Sequence, residues 1–96
     1  MFLSVYHFDG EPDVLVEAYG RLVAAFPPDA FDFHLCVRRT DGISVFDGCP
    51  SVQVAEAFST GEGFRGAVAA AGLPEPRTER LGDIQFAVVR GERVLS

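Results

Sequence analysis

Between residues 31 and 39 every second side chain is apolar: Phe31, Phe33, Leu35 and Val37 alternate with Asp32, His34, Cys36 and Arg38. A period of two belongs to an extended chain, so this segment is a strand with two chemically different faces. Arg39-Thr40-Asp41-Gly42 follows as a tight-turn signal, and residues 43–47 return as an antiparallel partner. Two strands alone are marginal in water and need further strands or a covering helix. The chain has 96 residues in which to supply them, enough for a single domain, residues 1–96, built around one core.

The flanking segments fit that need. Residues 2–8 are rich in aromatic and β-branched side chains and stop at Asp9-Gly10, as a strand entering a turn does. Glu11-Pro12-Asp13 then opens a helix, since Pro suits the first turn and acids favour its positive end. Leu15, Tyr19, Leu22, Val23 and Phe26 form its apolar face, and Pro27-Pro28 stops it. Ser51 is placed to cap a short helix reaching Phe58. A further helix is expected over residues 60–71, with Gly72-Leu73-Pro74 as its stop. A last strand is expected over residues 83–90, with Gly91-Glu92 turning the chain into a short tail strand at Val94-Leu95.

Strand, helix, strand, strand, helix, strand is the order of an α+β ferredoxin-like βαββαβ plait, a four-stranded antiparallel sheet with its helices on one face. The other face is then expected to present Ser4, Tyr6, Phe8, Phe46, Ala87 and Val89 beside His34, Cys36, Ser44 and Gln85. That mixture is too apolar for open water and too polar for a plain core, which points to an interface or a lined cavity. The expectation is a homodimer in which two sheets close over a shared cavity.

Charge removes several partners. Eight basic residues, all Arg, face fourteen acidic ones for a net charge of -6. Nucleic-acid binding rests on neutralising phosphates, and anionic membrane surfaces ask for the same basic patch, so neither partner is expected. The longest apolar runs are residues 22–26 and 67–71, far short of the roughly 20 residues of a membrane span, and no basic residue precedes Asp9 as a secretory leader would require. With two cysteines only, Cys36 and Cys49, a cytoplasmic location is expected, although spacing leaves a bridge between them open.

Two segments carry a resemblance. Asp41-Gly42-Ile43-Ser44-Val45-Phe46-Asp47, followed by Ser51 and Phe58, is one; Ala70-Ala71-Gly72-Leu73-Pro74-Glu75-Pro76 is the other. With the order of elements, they resemble the dimeric α/β-barrel superfamily, nearest its small actinobacterial members close to the antibiotic-biosynthesis-type monooxygenases. The resemblance implies a dimeric α/β barrel. It also implies cofactor-independent monooxygenase chemistry, in which the protein deprotonates an activated aromatic substrate and shields the carbanion from water.

Among residues with usable chemistry, His34 and Tyr6 form the best acid–base pair: an imidazole takes a proton near neutral pH, and a phenol orients or donates to an enolate-like oxygen. Ser4, Cys36, Phe46 and Gln85 are the expected substrate-binding neighbours for a small hydrophobic or aromatic metabolite. The bland reading makes the same residues a dimer interface, and with it the protein a non-catalytic metabolite-binding or assembly module. Gly61-Glu62-Gly63-Phe64-Arg65-Gly66 matches G-x-G-x-x-G, but no strand is expected before it, so it reads as turns between helices and no nucleotide cofactor is expected. His7, His34, Cys36 and Cys49 lack metal-ligand spacing, and no metal is expected. Cys49, near a helix start, is a weaker candidate as an activated thiol, and Arg38-Arg39 as an anion holder.

Overall fold

In the computed structural model, which describes residues 1–95, the chain runs β1 (Phe2–Asp9), α1 (Pro12–Ala24), a single 3-10 turn (Pro28–Ala30), β2 (Phe33–Arg39), β3 (Gly42–Cys49), α2 (Val52–Thr60), α3 (Glu62–Ala71), β4 (Arg77–Asp83), β5 (Ala87–Val89) and β6 (Glu92–Leu95). Strands β2-β3-β1-β4 form one antiparallel sheet in that order, an arrangement compatible with the ferredoxin-like plait. Among the described residues, strands β5 and β6 pair only with each other.

Local chemistry accounts for the element ends. Pro12 begins α1 and Asp13 lies in its first turn, where acids meet the positive end of the helix. Ser51 caps α2 by accepting the Val54 N–H at 3.2 Å. Gly72 ends α3 at φ 87°, a left-handed turn that suits glycine, and the Leu73 N–H returns to the Val68 carbonyl at 3.1 Å. Leu73 is itself buried against Val68 and Ala71 in the core.

Register decides which face the helices cover. Tyr6 stands opposite Val45, and Val45 opposite Cys36, so these three project together. By the two-residue period Ser4, Phe8, His34, Ile43, Asp47 and Cys49 project with them. The core joins Tyr6, Phe8, Ile43 and Val45 of the sheet to Leu15 and Ala18 of α1, Val68 and Ala71 of α3, and Leu73. Val5, Phe46 and Leu35 point the other way, toward the open face.

Two expectations are corrected. Ser4, Tyr6, Phe8, His34 and Cys36 lie under the helices and not on the open face, and only Phe46 and Ser44 of the expected sheet residues are on that face. Both faces carry apolar side chains, and a period of two cannot say which one the helices will choose. The last strand of the sheet is Arg77–Asp83, not residues 83–90. β4 is a polar edge strand held to β1 by backbone pairing, whereas the more apolar stretch beyond it folds into a separate hairpin. The turn of that hairpin is Arg90-Gly91, both with positive φ, as a two-residue hairpin loop prefers.

Candidate functional site

A cavity of about 270 Å³ opens between the covered sheet face and the helices. β1 contributes Tyr6 and Phe8, and β2 contributes His34. β3 supplies Val45, Asp47 and Cys49, and the walls are completed by Leu22, Val23 and Phe26 of the α1 end, Phe31, Val54 and Phe58, and Phe64. Tyr6 packs on Phe64 with ring centroids 5.0 Å apart, Phe64 on Phe58 at 4.8 Å, and Phe31 on His34 at 4.3 Å. The walls are therefore mainly aromatic and aliphatic, as ligand sites usually are.

The polar groups are few and connected. His34 Nε2 lies 2.7 Å from the Tyr19 hydroxyl, and His34 Nδ1 lies 3.2 Å from Asp47 Oδ1. A carboxylate only accepts, so Nδ1 carries a proton toward Asp47, and Nε2 and the Tyr19 hydroxyl share the second hydrogen bond. The Cys49 thiol donates to the other Asp47 oxygen at 3.5 Å. Asp47 is thus a mostly buried carboxylate that accepts from the His34 imidazole and the Cys49 thiol, and among the described residues it forms no ion pair with an Arg.

Tyr6 is different. It is 2% exposed, and its hydroxyl is sealed from water and makes no hydrogen bond of good geometry among the described residues, with the Arg80 guanidinium close enough to act on it. Burial pushes its phenol up to about 12, helped by the Asp47 carboxylate and opposed by the Arg80 guanidinium through its charge and its hydrogen bond. Tyr19 is raised to about 12 by burial, with Cys36 and Asp47 adding. Cys49 is pushed up to about 11, first by burial and then by Asp47. Burial is the largest cause of all three shifts, and the Asp47 charge adds to each.

The structure brings two of the expected residues, Tyr6 and His34, onto one cavity wall. Ser4 is fully buried on the same sheet face and accepts from Arg80 Nη1 at 3.4 Å, and Cys36 packs against the core; neither lines the cavity. Phe46 lies across the sheet, and Gln85 is exposed beyond β4, its amide donating to the Asp83 carbonyl. Both are removed from the site, because strand register turns Phe46 outward and the sheet ends before Gln85. Cys49 is not activated by the nearby helix start, since Asp47 and burial act in the opposite direction. Both cysteines are free thiols. Arg38 pairs with Asp13, and Arg39 with Asp9 and Asp41, so each guanidinium already faces carboxylate. Gly61 ends α2 and begins α3 with no strand before it. His7 faces away from His34, binding Ser44 Oγ at 2.8 Å and Glu79 at 3.0 Å.

Sequence reading missed Tyr19, Asp47 and Arg80 as parts of this region. Tyr19 carried a signal: it is the one polar-tipped ring on the apolar face of α1, and a buried phenol ordinarily seeks a partner. Comparison with protein-family models, with curated proteins and with solved structures finds no match.

Proposed function

We propose that this chain is a small-molecule-binding protein whose ligand, a small hydrophobic or aromatic metabolite, occupies the cavity between the sheet and the helices. The observation that carries this reading is the cavity itself, about 270 Å³ and walled mainly by aromatic and aliphatic side chains with few polar groups. The chain pairs with itself through the open face of the sheet in this proposal, because Leu35 and Val37 remain exposed there.

A second reading adds catalysis of the cofactor-independent monooxygenase type. It is favoured by the Asp47–His34–Tyr19 chain, in which a carboxylate orients an imidazole as it does in general-base sites. His34 would accept a substrate proton at Nε2 once the Tyr19 hydroxyl swings away, while Asp47 stabilises the resulting imidazolium.

Native mass spectrometry of the purified protein tests the first reading. A dimer that retains added small-molecule mass supports both the cavity and the pairing, and a bare monomer that takes up no apolar ligand defeats both. His34→Ala separates the second reading: loss of turnover with an unchanged dimer and melting temperature favours catalysis. Collapse of the dimer makes His34 structural.

A further inference from the structure

Resting on the reading that the chain pairs with itself through the open face of its sheet, we infer that the β5–β6 hairpin is the strap of that pair. It lies across the open sheet face of a second copy, with Phe86 and Val88 against Leu35, Val37 and Phe46. The hairpin has no seat in its own chain. The end of β4 is tied to the body where the Ile84 N–H donates to the Met1 carbonyl at 2.8 Å, and beyond that point β5 and β6 pair, among the described residues, with each other. Val88 and Val89 are neighbours on one strand and point to opposite faces, yet they are 46% and 52% exposed. Neither face of the hairpin is therefore covered by its own chain. A two-stranded hairpin alone in water is marginal, and it gains stability by laying an apolar face on something else.

One face of the hairpin has a distinct chemistry. Phe86 and Val88 share it by the two-residue period, and Arg93 stands opposite Val88 with its guanidinium 4.9 Å from the Phe86 ring centre. Phe86 is 56% exposed, so the face offers a large apolar side chain with a positive charge over it. Every copy also carries the counterpart. Leu35 stands opposite Phe46 on the open sheet face, Val37 follows on the same side, and both Leu35 and Val37 are exposed. Charge agrees with this pairing. The hairpin holds Arg90 and Arg93 against Glu92 alone, whereas the rest of the chain holds thirteen of the fourteen acids and six of the eight Arg. A basic, apolar hairpin is drawn to the acidic body of another copy. Both surfaces sit on one chain, so two copies exchange hairpins in a closed two-fold pair with two identical contacts.

Sedimentation equilibrium of the purified protein measures the pairing, and a photo-crosslinker at position 86 reports where the hairpin lies. Val88→Glu is expected to raise the dimer dissociation constant at least about tenfold, as is Val37→Glu on the receiving face. The hairpin lies outside the core, so Val88→Glu is expected to leave the melting temperature of the separated chain unchanged. Irradiation of Phe86→p-benzoylphenylalanine, in a mixture of isotopically light and heavy chains, is expected to join light chains to heavy ones at β2 and β3. If Val88→Glu does not fold, the crosslink decides alone. A pair weakened by Val37→Glu but not by Val88→Glu overturns the strap and keeps the pairing. So does a dimer whose crosslinks stay within one chain, which leaves the hairpin to a different partner. An unaltered protein that remains monomeric at every concentration reached overturns the pairing and the strap together.

Discussion

The Tyr19 hydroxyl meets His34 Nε2 at 2.7 Å, so one hydrogen bond ties the middle of α1 to β2 at the rim of the cavity. The two rings lie nearly parallel, 6° apart, and His34 is anchored on its far side to Asp47. Tyr19→Phe keeps the ring and removes the donor. It is expected to cost about 1–2 kcal/mol, because His34 Nε2 is left without its partner in a half-buried setting, measured by urea denaturation. An unchanged midpoint would mean that water replaces the phenol freely, and the His34 orientation would then be set by Asp47 alone.

The two tyrosines of the chain, Tyr6 and Tyr19, are both raised from the ordinary 10.0 to about 12, chiefly by burial. The folded state therefore holds these protons more tightly than the unfolded chain does. Their contribution to stability is complete below pH 10 and is lost as pH rises from 10 toward 12. Ultraviolet titration of the native protein at 295 nm is expected to show little phenolate at pH 10.5, and the urea midpoint to fall across the same window. Half-ionisation of either ring near pH 10 in the native protein contradicts the burial described for it.

Asp9 carries the opposite sign. Arg77 donates to it at 2.9 and 3.0 Å and Arg39 at 3.2 Å, holding its carboxyl at about 2 against an ordinary 3.8. Its contribution is present above pH 3.8 and is lost as pH falls toward 2. Asp9→Asn is expected to flatten the acid limb of a melting-temperature profile between pH 4 and 2. Raising the salt concentration is expected to weaken the same limb in the unaltered protein, since the carboxylate is solvent-exposed. Identical acid limbs for the two proteins would remove Asp9 from the account.

Cys36 and Cys49 are free, and both thiols are pushed up by burial, Cys49 to about 11. Reaction needs the thiolate, so neither is expected to react quickly with a disulfide reagent at pH 8 in the native protein, and both are expected to react once urea unfolds it. A single fast native thiol would show that the Asp47 side of the cavity is open to reagents and more polar than its lining implies.

These tests concern groups that differ in how far the sequence announced them. The turn at Asp41-Gly42, the Ser51 cap and the Gly72 stop are local chemistry, decided within a few residues, and all three were legible. The turn even has a close-approach requirement: a β-carbon at Gly42 would collide with the Phe8 carbonyl oxygen on the neighbouring strand. The choice of face was not legible. Phe33, Leu35 and Val37 argue for one side of β2 as strongly as the register with Val45 argues for the other, and only the combined apolar faces of α1 and α3 settle it over Tyr6 and Phe8. The edge strand was hidden for a related reason. Arg77-Thr78-Glu79-Arg80 has no apolar alternation, because β4 is bound to β1 through its backbone and exposes most of its side chains. Of the site, His34 and Tyr6 were named from residue type. The Asp47–His34–Tyr19 chain joins three separate elements, and no spacing in the sequence announces such a meeting.

Tyr6→Phe brings stability and function into direct opposition. Removing a buried hydroxyl that has no partner relieves a desolvation penalty, so the free protein is expected to gain about 1 kcal/mol, read as a higher urea midpoint with an unchanged denaturant slope. The Phe ring preserves the packing against Phe64 and the volume of the wall. If the phenol turns toward a ligand when one is bound, the same substitution lowers the affinity for a small aromatic alcohol such as 2-phenylethanol by several-fold while the protein becomes more stable. A stabilising substitution that weakens binding is the signature of a polar group kept at a cost for its function. If Tyr6→Phe instead destabilises the protein and leaves binding untouched, the hydroxyl is held by the nearby Arg80 and belongs to the core, not to the ligand site.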